Sequence, residues 1–467
     1  MGTPSASAVE SLGKQFNGEL IVAGDAGYDQ ARSLWNGDID RRPVLIARAT
    51  NADGIAAAVR FGREHDLEIA VRGGGHSFAG HGVVDDGLMI DLSAMRDVTV
   101  DPTARRARCG GGTTWADLDA ATQEHGLAVP GGVISHTGVA GLTLGGGIGW
   151  LSRKHGLSCD NLVSAKVVTA DGQCVTASAA ENADLHWALR GGGGNYGVVT
   201  EFEFALHDVG PLVNLGLFFW GVEVGAEALH HIRTCVAALP ADAGAQLIGL
   251  NAPPAPFVPE AFHFAPGYGL AVVGWDAPEA HAAVVEPIRD GLAPLFELVT
   301  PIPYAMLQQM LDDSAPWGIR AYEKACYLDE LTDGAIDVIA EHLPRKQSPM
   351  SIMPVFPMGG AYHDVDDNDT AFGGSRADKW LVNIAASSPD PAVLATDRTW
   401  VRAFWEALQP YASGTGGYVN FQNDADEDRV RASYGAAKYD RLARIKAQYD
   451  PDNVFHKNAN IKPAVSV

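Results

Sequence analysis

The stretch Arg72–Gly82, RGGGHSFAGHG, decides how the first half of the chain is read. It directly follows Leu67–Arg72, an apolar run of strand length. Upstream, Pro43–Ala49 reads as another short buried strand. Thr50 and Asn51 are helix-capping residue types, and Ala52–His65 has a helical pattern. A strand–helix–strand unit therefore opens straight into three glycines and a histidine. Glycine has no Cβ, so the backbone can come within contact distance of an anionic group and offer it N–H donors. Each charge-assisted hydrogen bond of that kind contributes about 1.5–3 kcal/mol.

The same texture recurs downstream, at Gly138–Gly149 and at Gly191–Gly194. The chain has 53 glycines in 467 residues, about 11%, against a usual ~7%, and the surplus sits largely in these clusters. A dinucleotide-type GxGxxG occurs at Gly192, Gly194 and Gly197. The alternating run Val198–Leu206 follows it, where that motif needs a helix, so the match is rejected. The chain has no P-loop, HExxH zinc motif or GxSxG elbow. Three clusters, each where a strand meets a turn or helix, point to a phosphate-bearing cofactor.

Apolar residues make up 46% of the chain and the formal charge is −23. A sizeable core is possible, while nucleic acid and anionic membranes are disfavoured as partners. The five cysteines, Cys109, Cys159, Cys174, Cys235 and Cys326, are scattered, with no CxxC and no disulfide framework. The N-terminus lacks a signal-peptide pattern and Leu215–Val224 is too short to span a bilayer, so a cytoplasmic location is expected.

Further strands are predicted at Leu88–Leu92, Val98–Val100 and Arg106–Cys109. A helix opened by Thr113 or Thr114 should stop at Gly126, and a hairpin should turn at Asp171-Gly172. Ala183–Arg190 reads as a helix. From about residue 208 glycine clusters give way to Pro, Trp and Phe. Strands are expected at Leu212–Trp220, Gly269–Trp275 and Trp380–Ala386, with helices near Ala226–Ala238 and Ala277–Leu292. Glu427–Tyr449 reads as one long helix ended by Asp450-Pro451.

The ordered motifs resemble one family. They are RGGGHSFAGHG (72–82), CGGGTTWADLDAA (109–121), GVAGLTLGGGIGWLSRKHGLSCDNLVSAKVVTADG (138–172), LRGGGGNYGVVTEFEF (189–204), YVNFQND (418–424) and YGAAKYDRLARIKAQYDPDNVFHKNANIKP (434–463). Together they are similar to the berberine-bridge-enzyme-like FAD-linked oxidases of the vanillyl-alcohol-oxidase superfamily. The resemblance implies an α+β fold: a two-lobed PCMH-type FAD-binding domain, residues 1–207 with 417–467, and an α+β substrate domain with an antiparallel sheet, residues 208–416. It implies FAD bonded covalently to His76. Arg72, Gly73, Gly74, Gly75 and Ser77 would form the pyrophosphate loop. Thr137, Gly138, Gly141, Gly145, Gly146 and Gly149 would line the other side. Gly197, Val198 and Val199 would lie near the adenine, and Asn458 against the flavin ring.

Many members of that group carry a second flavin bond, from a cysteine four residues before the glycine of a TVG-type turn. Here the turn is His136-Thr137-Gly138 and that position is Ile134, while Cys159 lies well downstream. One bond is expected, as in the 6-hydroxynicotine-oxidase type. The resemblance further implies hydride removal from an alcohol or amine C–H of a small organic substrate, with O2 reduced to H2O2. Tyr418 occupies a catalytic-tyrosine position, with Asn420 beside it. A dehydrogenase using another electron acceptor, or a flavin-binding protein without turnover, are the alternatives. Tyr322, Tyr362, Trp380 and Asn383 are weaker substrate-side candidates. The acidic run Asp364, Asp366, Asp367 and Asp369 reads as a solvated loop, and no metal is expected.

Overall fold

A computed structural model describes residues 4–377, 379–414, 416–423 and 427–465; Asp424 of the YVNFQND motif lies outside the described residues. The chain forms an α+β structure around three main sheets.

The first sheet contains β1 (Gly18–Ile21), β2 (Leu45–Ala49), β3 (Ile69–Arg72) and β4 (Leu88–Asp91), in the order β1-β2-β4-β3. β2 and β3 both run parallel to β4. The helix Ala52–Glu64 covers one face. Asn51 caps it by accepting the Gly54 N–H at 2.9 Å, and Ile55, Val59 and Phe61 pack on Leu45, Ile69, Leu88 and Ile90. Gly62 sits where a Cβ would come within 2.7 Å of Ile69. That close approach seats the helix on the sheet and aims the chain after β3 at the glycine–histidine loop.

The second sheet contains β5 (Val98–Asp101) and β6 (Arg106–Gly110). After a two-residue β7 (Leu127–Ala128) come β8 (Leu162–Val168), β9 (Cys174–Ser178) and β10 (Val198–Ala205). The order is β5-β6-β10-β8-β9 and every pairing is antiparallel. The expected alternation in β10 is present. Phe202 and Phe204 are fully buried, while Glu201 and Glu203 face out to Lys166 and Arg108. The rejected GxGxxG match does run into this strand. A short β11 (His207–Asp208) pairs with β7.

The third sheet holds β12 (Leu212–Gly221), β13 (Gly244–Asn251), β14 (Pro266–Gly274), β15 (Phe296–Pro303), β16 (Arg320–Leu328), β17 (Met353–Pro357) and β18 (Trp380–Ser388), in the order β15-β12-β14-β13-β17-β18-β16. All pairings are antiparallel. Helices 226–238, 278–291, 333–342 and 391–408 cover one face, packing Leu229, Ile232, Ile336, Ile339, Trp400 and Phe404 onto Trp220, Leu247, Val355 and Val382. The period-two rule sends Ala325, Tyr327, Phe356 and Leu381 to the opposite face. There they meet Ile148, Leu157 and Tyr418 from the rest of the chain. A bidentate ion pair crosses the same boundary: Arg376 donates to both carboxylate oxygens of Asp160, at 2.7 and 2.9 Å, with both side chains almost wholly buried.

The C-terminal helix departs from its expected form. It is two helices, Glu427–Tyr434 and Ala436–Tyr449, interrupted at Gly435 with φ 72°. Glycine takes that left-handed geometry without a Cβ penalty, and the chain turns there. The second helix carries a fully buried Lys446. Its ammonium donates to Asp450 at 2.6 Å, Asn195 O at 2.6 Å and Phe455 O at 2.9 Å. Asp450 in turn accepts the Val454 and Phe455 N–H groups. The five cysteines are all free. Among the described residues no helix is long and apolar enough to cross a membrane, and no group of three His, Cys, Asp or Glu is placed to hold a metal.

Removing one member of a fully buried ion pair leaves its partner's charge uncompensated. Lys446→Met is expected to cost about 3–5 kcal/mol of stability, measured as a lower chemical-denaturation midpoint.

Candidate functional site

The loop leaving β3 carries His76 into an aromatic niche. Trp35 stacks on its ring at 5.2 Å and 19°, and Trp317 meets it edge-on at 5.7 Å. His76 Nε2 lies 2.7 Å from His136 Nδ1, and His76 Nδ1 lies 3.4 Å from Thr137 Oγ1. Burial first, and the neighbouring His136 second, pull the His76 pKa down to about 3. Its imidazole is therefore neutral at ordinary pH, and a neutral imidazole keeps one nitrogen lone pair for a nucleophile.

The two glycine loops beside His76 touch through bare backbone. A Cβ on Gly74 would lie 2.3 Å from Gly138 Cα, and one on Gly138 would lie 2.4 Å from Gly74 N. Arg72 reaches the fully buried Asp91 at 3.6 Å and donates to Ala31 O, while its Nε is buried without a hydrogen-bond partner. Ser77 Oγ accepts the His81 N–H at 3.1 Å. The turn 135–138 is held from the third-sheet side. Asp312 accepts both the backbone N–H and the hydroxyl of Ser135, at 2.8 and 2.6 Å. Gln308 donates to Gly132 O and to Asp119, whose pKa burial raises to about 7.

The remaining predicted residues divide. Gly141 has nothing within 4 Å of a Cβ position, and neither has Gly194. Gly145 and Gly146 pack against Asn420 and against Phe372 and Tyr418, and Gly149 against Gly131 O. Gly197 abuts Val168 O, and the side chains of Val198 and Val199 sit in two apolar cores while their strand pairs with β8. Asn458 Nδ2 donates to Gly194 O at 3.1 Å while its Oδ1 is buried and unpartnered.

Opposite these loops lies the inner face of the third sheet. Tyr418 Oη accepts the Gly147 N–H at 2.8 Å and Asn420 Nδ2 at 2.9 Å, and Asn420 also donates to Leu142 O. Burial raises the phenol's pKa strongly; the two donors pull it the other way without prevailing, so the phenol is protonated. Of the weaker candidates, Asn383 is on this face, bonded to Glu323 at 2.8 Å. Tyr362 is fully buried in the same apolar cluster, under Arg376. Tyr322 and Trp380 point the other way, into the helix-side core. Sequence reasoning passed over Trp35, Trp317, Asp312 and Glu323, and took His136 only as part of a turn. None carries a motif signal, and three-dimensional placement alone gathers them.

This geometry, a neutral histidine with one indole stacked on it and another edge-on, and with two bare glycine loops beside it, suits a flat aromatic cofactor bearing a pyrophosphate. The FAD binding domain family matches residues 43–178, and the "Berberine and berberine like" family matches residues 417–462. FAD-linked oxidoreductase pgmH of Aspergillus terreus is 30% identical over 98% of this chain and 96% of its own. The chain belongs to the berberine-bridge-enzyme-like FAD-linked oxidoreductases. Among solved structures, 6-hydroxy-D-nicotine oxidase of Arthrobacter nicotinovorans aligns with a TM-score of 0.83 at 27% identity, covering 96% of this chain and 98% of that one. Glucooligosaccharide oxidase of Acremonium strictum, described with a 6-S-cysteinyl, 8α-N1-histidyl FAD, aligns at 0.85 with 23% identity over 98% and 100%; at that identity it shares the fold. This FAD-linked oxidoreductase thus has the PCMH-type FAD-binding fold that its motifs implied.

The residues present fit FAD. Arg72 Nε and Asn458 Oδ1 are buried polar atoms without partners in the protein, and Gly141 and Gly194 border unfilled space. Gly74→Ala forces the two loops apart, because a methyl group has no room at 2.3 Å from backbone. The purified variant is expected to carry less than a tenth of the wild-type flavin per chain, measured from the visible absorbance after denaturation.

Proposed function

We propose that this protein is an oxidase that removes a hydride from an alcohol or amine C–H of a small organic molecule. The two-lobed part, residues 1–207 with 417–467, would hold FAD, and residues 208–416 would supply the substrate wall. Bound FAD supplies the electron sink, accepting the hydride and passing the electrons to O2 as H2O2. Gly73, Gly74, Gly75 and Ser77 would offer backbone and hydroxyl groups to the pyrophosphate, with Arg72 compensating charge. Thr137, Gly138 and Gly141 would lie along the opposite side. The backbone of Gly145, Gly146, Gly149, Gly197, Val198 and Val199, with Asn458, would complete the cradle.

The observation that carries this reading is His76. It is neutral, and it is clamped by His136, Trp35 and Trp317 at the mouth of the first glycine loop. With its proton on Nε2 toward His136, Nδ1 keeps the lone pair that would bond the flavin's 8α-methyl carbon. A single covalent bond is proposed. Position 134 is Ile, and Cys159 is fully buried with burial holding its thiol protonated. Tyr418 and Asn420 would act at the reacting face, the protonated phenol as a fixed hydrogen-bonding group rather than a proton acceptor.

Two measurements test this. After acid precipitation, the yellow colour is expected to stay with the wild-type pellet and to pass into the supernatant for His76→Ala; colour wholly in the wild-type supernatant would remove the covalent assignment. Tyr418→Phe leaves the Gly147 N–H and one of the two Asn420 amide N–H groups without an acceptor, a loss of about 1–3 kcal/mol. It is expected to lower the melting temperature and to slow anaerobic flavin reduction, and unchanged reduction would take Tyr418 out of the reaction.

A further inference from the structure

Glu323 is a carboxyl group with no solvent exposure, on a strand the sequence did not reveal. Along β16 the side chains of Tyr322, Cys326 and Leu328 enter the helix-side core, and Lys324 lies over the Trp405 ring of the helix 391–408. Glu323 therefore faces inward with Ala325 and Tyr327, which share an apolar cluster with Tyr418, Phe356 and Leu381. Its Oε2 accepts Asn383 Nδ2 at 2.8 Å; its Oε1 and the Asn383 Oδ1 are buried with no hydrogen-bond partner. This bonded pair thus holds two buried, unsatisfied oxygens next to an apolar cluster. Buried polar atoms of this kind are expensive to leave unmade and ask for a ligand donor.

The pair is also tied to the His76 loop. Asn423 Oδ1 accepts the Glu323 N–H at 2.7 Å while Asn423 Nδ2 donates to Phe78 O at 3.0 Å. Asn36 makes the same bridge one step along, accepting the Ala321 N–H at 3.0 Å and donating to Phe78 O at 2.8 Å. Glu323 thus sits on the wall between the His76 loop and Tyr418, itself one anchor of its strand and two residues from the other, Ala321.

We propose that Glu323, oriented by Asn383, accepts the proton from the substrate's O–H or N–H, and that the pair selects molecules presenting such a donor on the carbon to be oxidised. This rests on the oxidase reading above. The substrate's X–H bond breaks and its proton goes to the Glu323 carboxylate. The electron pair left on X forms the C=X bond. The C–H bond breaks and its hydride, with two electrons, goes to FAD.

Burial raises the Glu323 pKa to about 8, with the Asn383 hydrogen bond offsetting only part of it. A proton acceptor poised near the working pH is the efficient kind. The titratable groups on the facing elements are Tyr418, protonated, and His76, neutral. On its own strand Tyr327 shares its face, while Arg320, Tyr322, Lys324 and Cys326 lie on the other. The reactive carboxylate is the deprotonated form, so reduction should speed up as pH rises through about 8 and then level off.

The test uses the flavin-loaded protein and its Glu323→Gln variant, in which the amide oxygen can still accept from Asn383. Probes are a disaccharide, a benzylic alcohol and a secondary cyclic amine. The variant is expected to keep its flavin and melting temperature, to lose about 10²–10⁴-fold in anaerobic bleaching rate, and to lose the rise near pH 8. Without any substrate, the infrared spectrum of wild type minus variant should hold a protonated-carboxyl band that converts to carboxylate through that pH; the band of Asp119, which burial raises to about 7, is common to both proteins and cancels. Equal bleaching rates and pH profiles in both proteins, or absence of that band from the wild-type-minus-variant difference, overturn the Glu323 assignment alone. A wild-type flavin bleached by none of the three probes overturns the oxidase reading and the assignment with it.

Discussion

Backbone pressed on backbone is the constraint from which the site follows. Gly74 and Gly138 approach so closely that neither tolerates a Cβ. That contact joins the loop leaving the first sheet to the turn that opens the helix Val139–Leu144. It fixes where His76 and Thr137 face each other, and through Asp312 and Gln308 it is braced by the third sheet. A cofactor held here would be gripped by main-chain groups whose positions are set by sheets, so its affinity would be built into the fold rather than into mobile side chains.

The opposite wall works on another principle. The third sheet presents an apolar inner face to the cradle and carries little charge there: Glu323, paired with Asn383, is its buried carboxyl. Charge is instead spent at the seams. The Arg376–Asp160 pair and the Lys446 cluster lock segments far apart in sequence, each with nearly every donor and acceptor satisfied. Such groups are costly to bury unless fully paired. Here they fix how the C-terminal segment and the sheets sit around the site.

Much of the cofactor side could be read from residues alone, because its signals are local. Glycine runs after strands, the Asn51 and Thr114 caps and the alternation of Val198–Leu206 each depend on a few neighbours in sequence, and the elements fall where they were expected. In the middle of the chain β12, β14, β18 and the helices 226–238 and 278–291 fall where they were expected, while β13, β15, β16 and β17 went unread. β16, RAYEKACYL, places Glu323 and Lys324 side by side in a buried strand, which reads as solvent-facing polarity until the sheet assigns them to opposite faces. The same blindness to facing put Tyr322 and Trp380 beside Asn383 as substrate-side candidates, although strand period sends only Asn383 inward. Gly435, with its positive φ, divides what reads as one helix over Glu427–Tyr449, and the buried positions resume at Tyr439, five residues after Tyr434.

Trp317 has an optical consequence. Its indole is about half exposed and stands 5.7 Å from the His76 ring, whereas Trp35, on the other side of that ring, is buried. An emitter so near a flavin is quenched by energy and electron transfer, and a solvent-wetted one emits at longer wavelength than its buried counterparts. With FAD seated beside His76 as proposed, the red edge of the purified protein's intrinsic fluorescence would dim as the crevice fills, a gauge of occupancy that the chain carries itself.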